Sequence, residues 1–270
     1  MRPGLEITGE VINCWAYILN EEEKRRSKDN KAPRFFCTVR MPALSLNEKK
    51  EEMIAEFTKN IEKILQGAKL KSINDFKIIL VPILHVEHFY VISFPLEDKE
   101  IFIIDNSAKA VTNKQKYGNV PLKTRNALAG YLESVGYKNA DDIKGIKPVK
   151  MEMKLRTKNN GIDCGVFCMR HMECYNGEEA ENWDCGFHEE DEEPEIIDQG
   201  KTHVSKQKAQ LEDLRRKFIT KILLHDINKR KDFVIEDSKK FRKLSAKLKK
   251  QSYDPSLERI KERLALVGLL

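Results

Sequence analysis

Residues 77–105 read KIILVPILHVEHFYVISFPLEDKEIFIID, and the alternation of apolar runs with turn residues in this stretch decides the fold. Lys77 to Leu84, His88 to Phe94 and Glu100 to Asp105 are β-branched and aromatic runs of strand length, so the segment reads as a sheet core. The most economical hairpin turns about Glu97 and Asp98, which makes paired positions sum to 195 and sets position 90 opposite position 105. In that register His88 and Asp105 are diagonal neighbours on one face, roughly 7 to 8 Å apart at the backbone, a gap two side chains can close. A carboxylate can then orient an imidazole. A one-residue bulge would send one of them to the opposite face.

On either side of this core the hydrophobic period becomes helical. Thr8 is placed to cap a helix carrying Val11, Trp15 and Ile18, with Ile12 and Leu19 beside them. A second helix is predicted from Asn47 to Gln66, with Met53, Phe57, Ile61 and Ile64 on one face and Gly67 ending it. A third runs from Leu122 to Val135 and stops at Gly136. Cys164 heads a near-continuously apolar helix to Tyr175, which should be buried. Leu211, Leu214, Phe218, Ile222 and Leu223 mark a further helix ending near Asn228.

Charge divides the rest of the chain more sharply than its net +6 suggests. Glu178 to Asp198 holds eleven Asp and Glu and no Lys or Arg, and reads as an acidic surface-loop insertion over 178–200, mobile for lack of anchoring apolar residues. From Lys229 onward thirteen Lys and Arg face six acids, giving a basic, weakly helical tail over 229–270, outside a core unit of 1–228. Such a tail suits nuclear import through Lys239, Lys240, Arg242, Lys243, Lys247, Lys249 and Lys250, and a nuclear or nucleocytoplasmic location is expected. No nucleic-acid motif accompanies the charge, so nucleic acid is not expected as a partner. The longest apolar runs are strand length, short of the ~20 residues of a spanning helix, and no membrane association is expected. Six irregularly spaced cysteines suit free thiols in a reducing compartment rather than a disulfide framework.

A thiol attacks a carbonyl as the thiolate, which a helix N-terminus and a neighbouring imidazole favour. Cys164 meets the first condition after the loop residues Asn159, Asn160, Gly161 and Asp163, and Gly165 lets a substrate backbone come close. The same backbone N–H groups suit an oxyanion hole. Cys14, Cys37, Cys168 and Cys174 read as buried small apolar residues. Cys164, Cys168 and His171 share a helix face with Cys174 near and Cys185 and His188 further on, yet structural zinc sites draw their cysteines from short turns. No metal and no cofactor are expected.

Asn160-Gly161-Ile162-Asp163-Cys164-Gly165 resembles the Asn-Gly-x-Asp-Cys-Gly signature of the ubiquitin-like protein proteases, which include the SUMO-specific (sentrin-specific) enzymes. The spacing from His88 to Asp105 is 105 − 88 = 17 positions, as between that family's catalytic His and Asp. The following Val166 to Glu173 is similar to plant members, many of them transposon-derived. The resemblance runs from about Leu5 to Asn228 and implies an α+β, papain-like fold. A mixed central sheet is flanked by helices, with the catalytic Cys opening a buried one. It implies Cys164 as nucleophile, His88 as base and Asp105 as its orienter. Substrates are implied to be precursors or isopeptide conjugates of SUMO or related modifiers ending in Gly-Gly, with such a modifier as partner.

Three positions depart from the family pattern. Lys158 stands six residues before the Cys, where the family uses a Gln amide with the Cys N–H to hold the oxyanion. Phe89 follows the catalytic His in place of Trp. Ile7 aligns with a second Trp of the substrate tunnel, and Phe89, Gly161, Gly165 and Ile7 are the substrate-binding residues implied. The alternative reading is a catalytically impaired, transposon-derived relative that only binds a ubiquitin-like protein.

Overall fold

The structure is a computed structural model that describes residues 1, 4–26, 32–39, 49–97, 100–108, 112–190, 196–197, 201–202 and 205–249. In chain order it contains α1 (Gly9–Glu23), β1 (Arg34–Phe36), α2 (Lys50–Gly67), β2 (Ile78–His85), β3 (His88–Pro95), β4 (Ile101–Ile104), α3 (Asn113–Tyr117) and α4 (Val120–Ser134). It continues with α5 (Ala140–Gly145), β5 (Pro148–Lys150), α6 (Cys164–Cys174), a short hairpin of β6 (Ile196–Ile197) and β7 (Lys201–Thr202), α7 (Lys206–Leu224) and α8 (Lys231–Arg242).

Among the described residues, five strands form a mixed sheet in the order β1-β2-β3-β4-β5. The central hairpins β2-β3 and β3-β4 are antiparallel, and the outer strands β1 and β5 run parallel to their neighbours. Val91 pairs with Ile104 and Ile92 with Ile103, which is the register summing to 195. The turn at Glu97 and Asp98 lies partly outside the described residues. Between β2 and β3 the chain reverses in two residues, and Val86 (φ 47°) and Glu87 (φ 57°) both adopt the left-handed backbone that such a tight hairpin requires. For a β-branched Val86 this is a strained state, held by the long β2-β3 ladder directly before His88.

One apolar layer forms where Phe57, Ile61 and Ile64 of α2 and Leu128, Tyr131 and Leu132 of α4 meet Ile79, Val81, Ile92, Phe94 and Ile103 of the sheet. α1 and α6 pack together elsewhere against it, pinned by the Trp15 indole N–H, which donates to the Met169 carbonyl at 3.0 Å in the interior. Trp15 also packs on Phe218 of α7, with ring centroids 4.7 Å apart and the planes tilted by 55°. The outer edge of β1 would expose unpaired backbone groups, a liability for any edge strand. Asn20 covers it, its amide donating to the Phe36 carbonyl at 2.8 Å and its oxygen accepting from Phe36 N at 3.0 Å.

The mixed sheet flanked by helices, with Cys164 opening a buried helix, is the expected fold class; several local expectations need correction. Gly67 is the last residue of α2, and the left-handed position that ends the helix falls on Lys69 (φ 52°). β1 and β5 are too short to show a period, and the sequence reading missed both. The first part of the acidic stretch is anchored: Trp183 and Cys185 are buried, Phe187 packs on Phe167 at 4.6 Å, and Arg170 donates to the Cys185 carbonyl at 3.1 Å. Few apolar residues suffice because Trp183 and Phe187 pack on His171 and Phe167 of α6. Residues 191–195 and 198–200 of that stretch lie outside the described residues.

The chain divides into two compact units, Met1–Ile219 and Thr220–Leu270. Phe218 is the last α7 residue with a buried side chain, whereas Leu223, Leu224 and Ile227 are exposed, so the stripe closing the core ends earlier than its spacing suggests. In the second unit α8 has no buried residue. No helix among the described residues is long and apolar enough to cross a membrane, and no three His, Cys, Asp or Glu side chains among them are arranged to hold a metal ion.

His171, on the buried face of α6, has no hydrogen-bond partner for Nε2 among the described residues and meets the rings of Trp183, Phe167 and Phe187. Burial, with a small addition from Arg170, lowers its pKa to about 4 despite the opposing charge of Asp105. Since the folded pKa lies below the unfolded one, the unfolded chain binds the extra proton between pH 6.5 and 4. Stability therefore falls as pH drops through that window, by up to about 3 kcal/mol. Urea unfolding of the protein and of His171→Leu at pH 7 and 4.5 should show a shallower pH loss in the variant; parallel losses would assign the acid sensitivity elsewhere.

Candidate active site

His88 opens β3, and its Nε2 lies 2.9 Å from Oδ1 of Asp105, which follows the last residue of β4 and is fully buried. Continuing the β3-β4 register by one residue sets Tyr90 opposite Asp105 and His88 diagonal to it on the same face. The carboxylate is fixed on both oxygens. Oδ1 accepts also from Ser107 N at 2.8 Å, and Oδ2 accepts from the Tyr117 hydroxyl at 2.7 Å and pairs with Lys116 Nζ at 2.6 Å. Burial alone would raise the Asp105 pKa, but His88 and Lys116 together hold it well below the usual carboxylate range.

Cys164 lies close enough to His88 for its side chain to act on the imidazole. An ionised carboxylate only accepts, so Asp105 assigns the ring proton to Nε2 in the neutral imidazole and leaves Nδ1 as the basic nitrogen. Burial disfavours the imidazolium, but the hydrogen bond to Asp105 and the nearby Asp105 and Cys164 side chains outweigh it and raise the His88 pKa to about 9.

Cys164 is the first residue of α6 and is buried, with the unpaired N–H groups of the helix terminus around it. Asp163 precedes it, its carbonyl accepting from Val166 N at 2.8 Å and Phe167 N at 3.0 Å. The Asp163 side chain points away from the helix: Oδ1 accepts from Nε and Nη2 of the buried Arg215, and Oδ2 accepts from the Asn160 amide at 3.0 Å. Asn160 Oδ1 in turn accepts from Asp163 N at 3.0 Å, closing the loop before the nucleophile. Upstream, Thr157 N donates to the Asn106 carbonyl and Ala108 N to the Thr157 carbonyl, both at 2.8 Å. The segment after Asp105 is thereby tied to the one leading to Cys164.

Ile7 lies on the first turn of α6. A Cβ at Gly165 would fall 2.7 Å from the Ile7 Cβ, so only glycine fits there. Phe89 is buried in β3 beside His88, and Gly161 is exposed in the loop before Cys164. Cys164, His88, Asp105, Gly165 and Ile7 are thus brought together. Lys158 is exposed, and its backbone N–H donates to the Glu190 carboxylate at 2.6 Å, as does that of Asn159 at 3.0 Å.

Sequence reasoning missed Lys116, Tyr117, Arg215 and Glu190. Only Arg215 left a signal, because it sits at i+4 from Leu211 and three before Phe218, inside the apolar stripe of α7. A cation in a buried stripe demands a carboxylate partner.

The model of the family described as "Ulp1 protease family, C-terminal catalytic domain" matches residues 6–191. Among solved structures, the SUMO protease Ulp1 with its catalytic cysteine oxidised to a sulfinic acid aligns over 67% of this chain and 71% of that one, at 13% identity and a TM-score of 0.45. The C-terminal Ulp1 protease domain in complex with Smt3, the yeast orthologue of SUMO, aligns over 65% and 70%, at 13% identity and 0.42. The Chaetomium thermophilum Ulp1-like SUMO protease catalytic domain aligns over 63% and 61%, at 18% identity and 0.40. No curated protein matches the chain.

Proposed function

Because the chain belongs to the Ulp1 protease family, we propose that it is a working cysteine peptidase that cleaves precursors or isopeptide conjugates of SUMO or a related modifier after a C-terminal Gly-Gly. The observation that carries the reading is one imidazole hydrogen-bonded to a buried carboxylate and influenced by a thiol at a helix N-terminus. That arrangement serves acyl transfer.

The Cys164 sulfur attacks the glycine carbonyl, and the oxyanion forms against the Cys164 N–H and the helix terminus. The His88 imidazolium gives its proton to the departing amine as the C–N bond breaks, leaving a thioester. His88, now neutral, takes a proton from water, whose oxygen attacks the thioester, and the thiol leaves with that proton. Asp105 holds the ring throughout. Incubation with a panel of ubiquitin-like modifiers carrying C-terminal electrophiles tests activity and substrate class together: labelling of Cys164 by one class supports the reading. If none labels, the binding-only alternative replaces it.

Lys158 favours that alternative, since its exposed side chain stands where the family keeps an oxyanion-binding Gln. An oxyanion donor is worth about 10²- to 10³-fold in turnover. Lys158→Gln is therefore expected to speed single-turnover cleavage of a modifier fusion, by up to about 10²-fold. A slower Lys158→Gln would instead give the lysine a positive role, such as gripping an acidic substrate.

A further inference from the structure

The carboxylate that orients His88 does not act alone. Lys116 Nζ lies 2.6 Å from Asp105 Oδ2 with only 11% of its side chain exposed, 3.5 Å from the Ser107 carbonyl and over the Tyr117 ring at 5.4 Å. Its placement is built. α3 is fastened by a reciprocal cap between Thr112 and Gln115, and the Tyr117 hydroxyl takes the same carboxylate oxygen as Lys116. A charge pair this close in the interior acts at low effective dielectric and is little screened by salt.

We propose that Lys116 is a positioning residue of the reaction: its ammonium balances the Asp105 carboxylate and, by holding Oδ2, keeps Oδ1 turned to His88, so that the imidazolium releases its proton more readily than it would beside a lone carboxylate. This rests on the proteolytic reading of the same site. A lone buried carboxylate would stabilise the imidazolium strongly. An imidazolium held too tightly is a weak acid toward the leaving amine and is slow to become the base that activates water. Lys116 moderates that grip while leaving the His88-Asp105 hydrogen bond in place.

The charge environment makes Lys116 the cation best placed to do so. From β3, His88 and Tyr90 face Asp105; from α3, Lys116 and Tyr117; from α6, Cys164 faces His88. Lys150 of β5 gives its ammonium to the Ser107 carbonyl at 2.8 Å, and Arg156 is paired with Glu152 at 2.7 Å. Burial and the Asp105 charge push both tyrosines upward, so neither contributes charge in the working range.

The test follows the His88 ring by NMR, its signal assigned by its loss in His88→Gln, in the intact chain and in Lys116→Met, Lys116→Gln and Lys116→Arg. Circular dichroism confirms that each is folded. The Met and Gln forms are expected to titrate about one pH unit higher than the natural protein, with the alkaline limb of kcat/KM moving alongside, while Lys116→Arg stays near the natural midpoint. A midpoint unmoved in whichever neutral variant is folded overturns the proposal and leaves Lys116 a structural residue. The ring titration reads without turnover. A chain that cleaves nothing yet shows the shift keeps the role of Lys116 in setting His88 while losing the proteolytic reading.

Discussion

Cys164→Ser is expected to lower single-turnover cleavage of a modifier fusion by at least about 10⁴-fold and to abolish labelling by a C-terminal electrophile. The exchange removes one polarisable atom at a buried position and leaves Asp163, Asn160 and the α6 terminus intact. The fold should therefore persist while the nucleophile is lost. A serine hydroxyl ionises far less readily than a thiol, and the imidazole-carboxylate pair here stands against a sulfur. His88→Ala should cost a comparable amount, because without the ring neither the amine nor the water receives its proton transfer. The double variant should be scarcely worse than either single one, since members of such a unit do not contribute additively. Losses that multiplied instead would mean that Cys164 and His88 act in separate steps. Cleavage above about 1% in folded Cys164→Ser would move the nucleophile elsewhere.

The parts legible in the sequence were those carried by period and spacing. Strand alternation and the short β3-β4 connection fix a register, and the register puts His88 diagonal to Asp105 before any coordinate is known. Met53, Phe57, Ile61 and Ile64 of α2 are buried as their spacing requires. What escaped were contacts between segments far apart in sequence, for which local pattern holds no information. Lys116 lies in a five-residue helix with no period of its own and meets Asp105 because Thr112 and Gln115 close that helix. Glu190 and Trp183 belong to a stretch whose composition suggested solvent, yet composition averages over residues, and one tryptophan in the right place outweighs many exposed acids. At Arg215 a local expectation and the observed burial conflict most sharply, and the conflict marks a residue with work near the nucleophile.

Arg215→Met is expected to destabilise the protein by about 3 to 5 kcal/mol, because it leaves the Asp163 carboxylate partly buried without its cation. Arg215 is 1% exposed and donates Nε, at 2.9 Å, and Nη2 to a single oxygen of Asp163. Asp163 is the residue immediately before Cys164, so the pair sets the direction in which the chain enters α6. A small shift there displaces the sulfur from His88, and a misplacement of about 1 Å can cost 10²-fold in rate. Breaking the pair and removing it are separate matters. In Asp163→Asn with Arg215→Met no charge is stranded, and the Asn can still accept from the Asn160 amide that now meets Oδ2. Much of the lost stability should return, whereas Asp163→Asn alone should be destabilised because the buried arginine loses its carboxylate. Urea unfolding of the four forms measures the coupling, and single-turnover rates on the folded ones measure the displacement. Equal destabilisation of the double variant and of Arg215→Met would mean that Arg215 stabilises by filling space and not by its charge. A fully stable Arg215→Met with an unchanged rate would remove the pair from any role in setting the nucleophile.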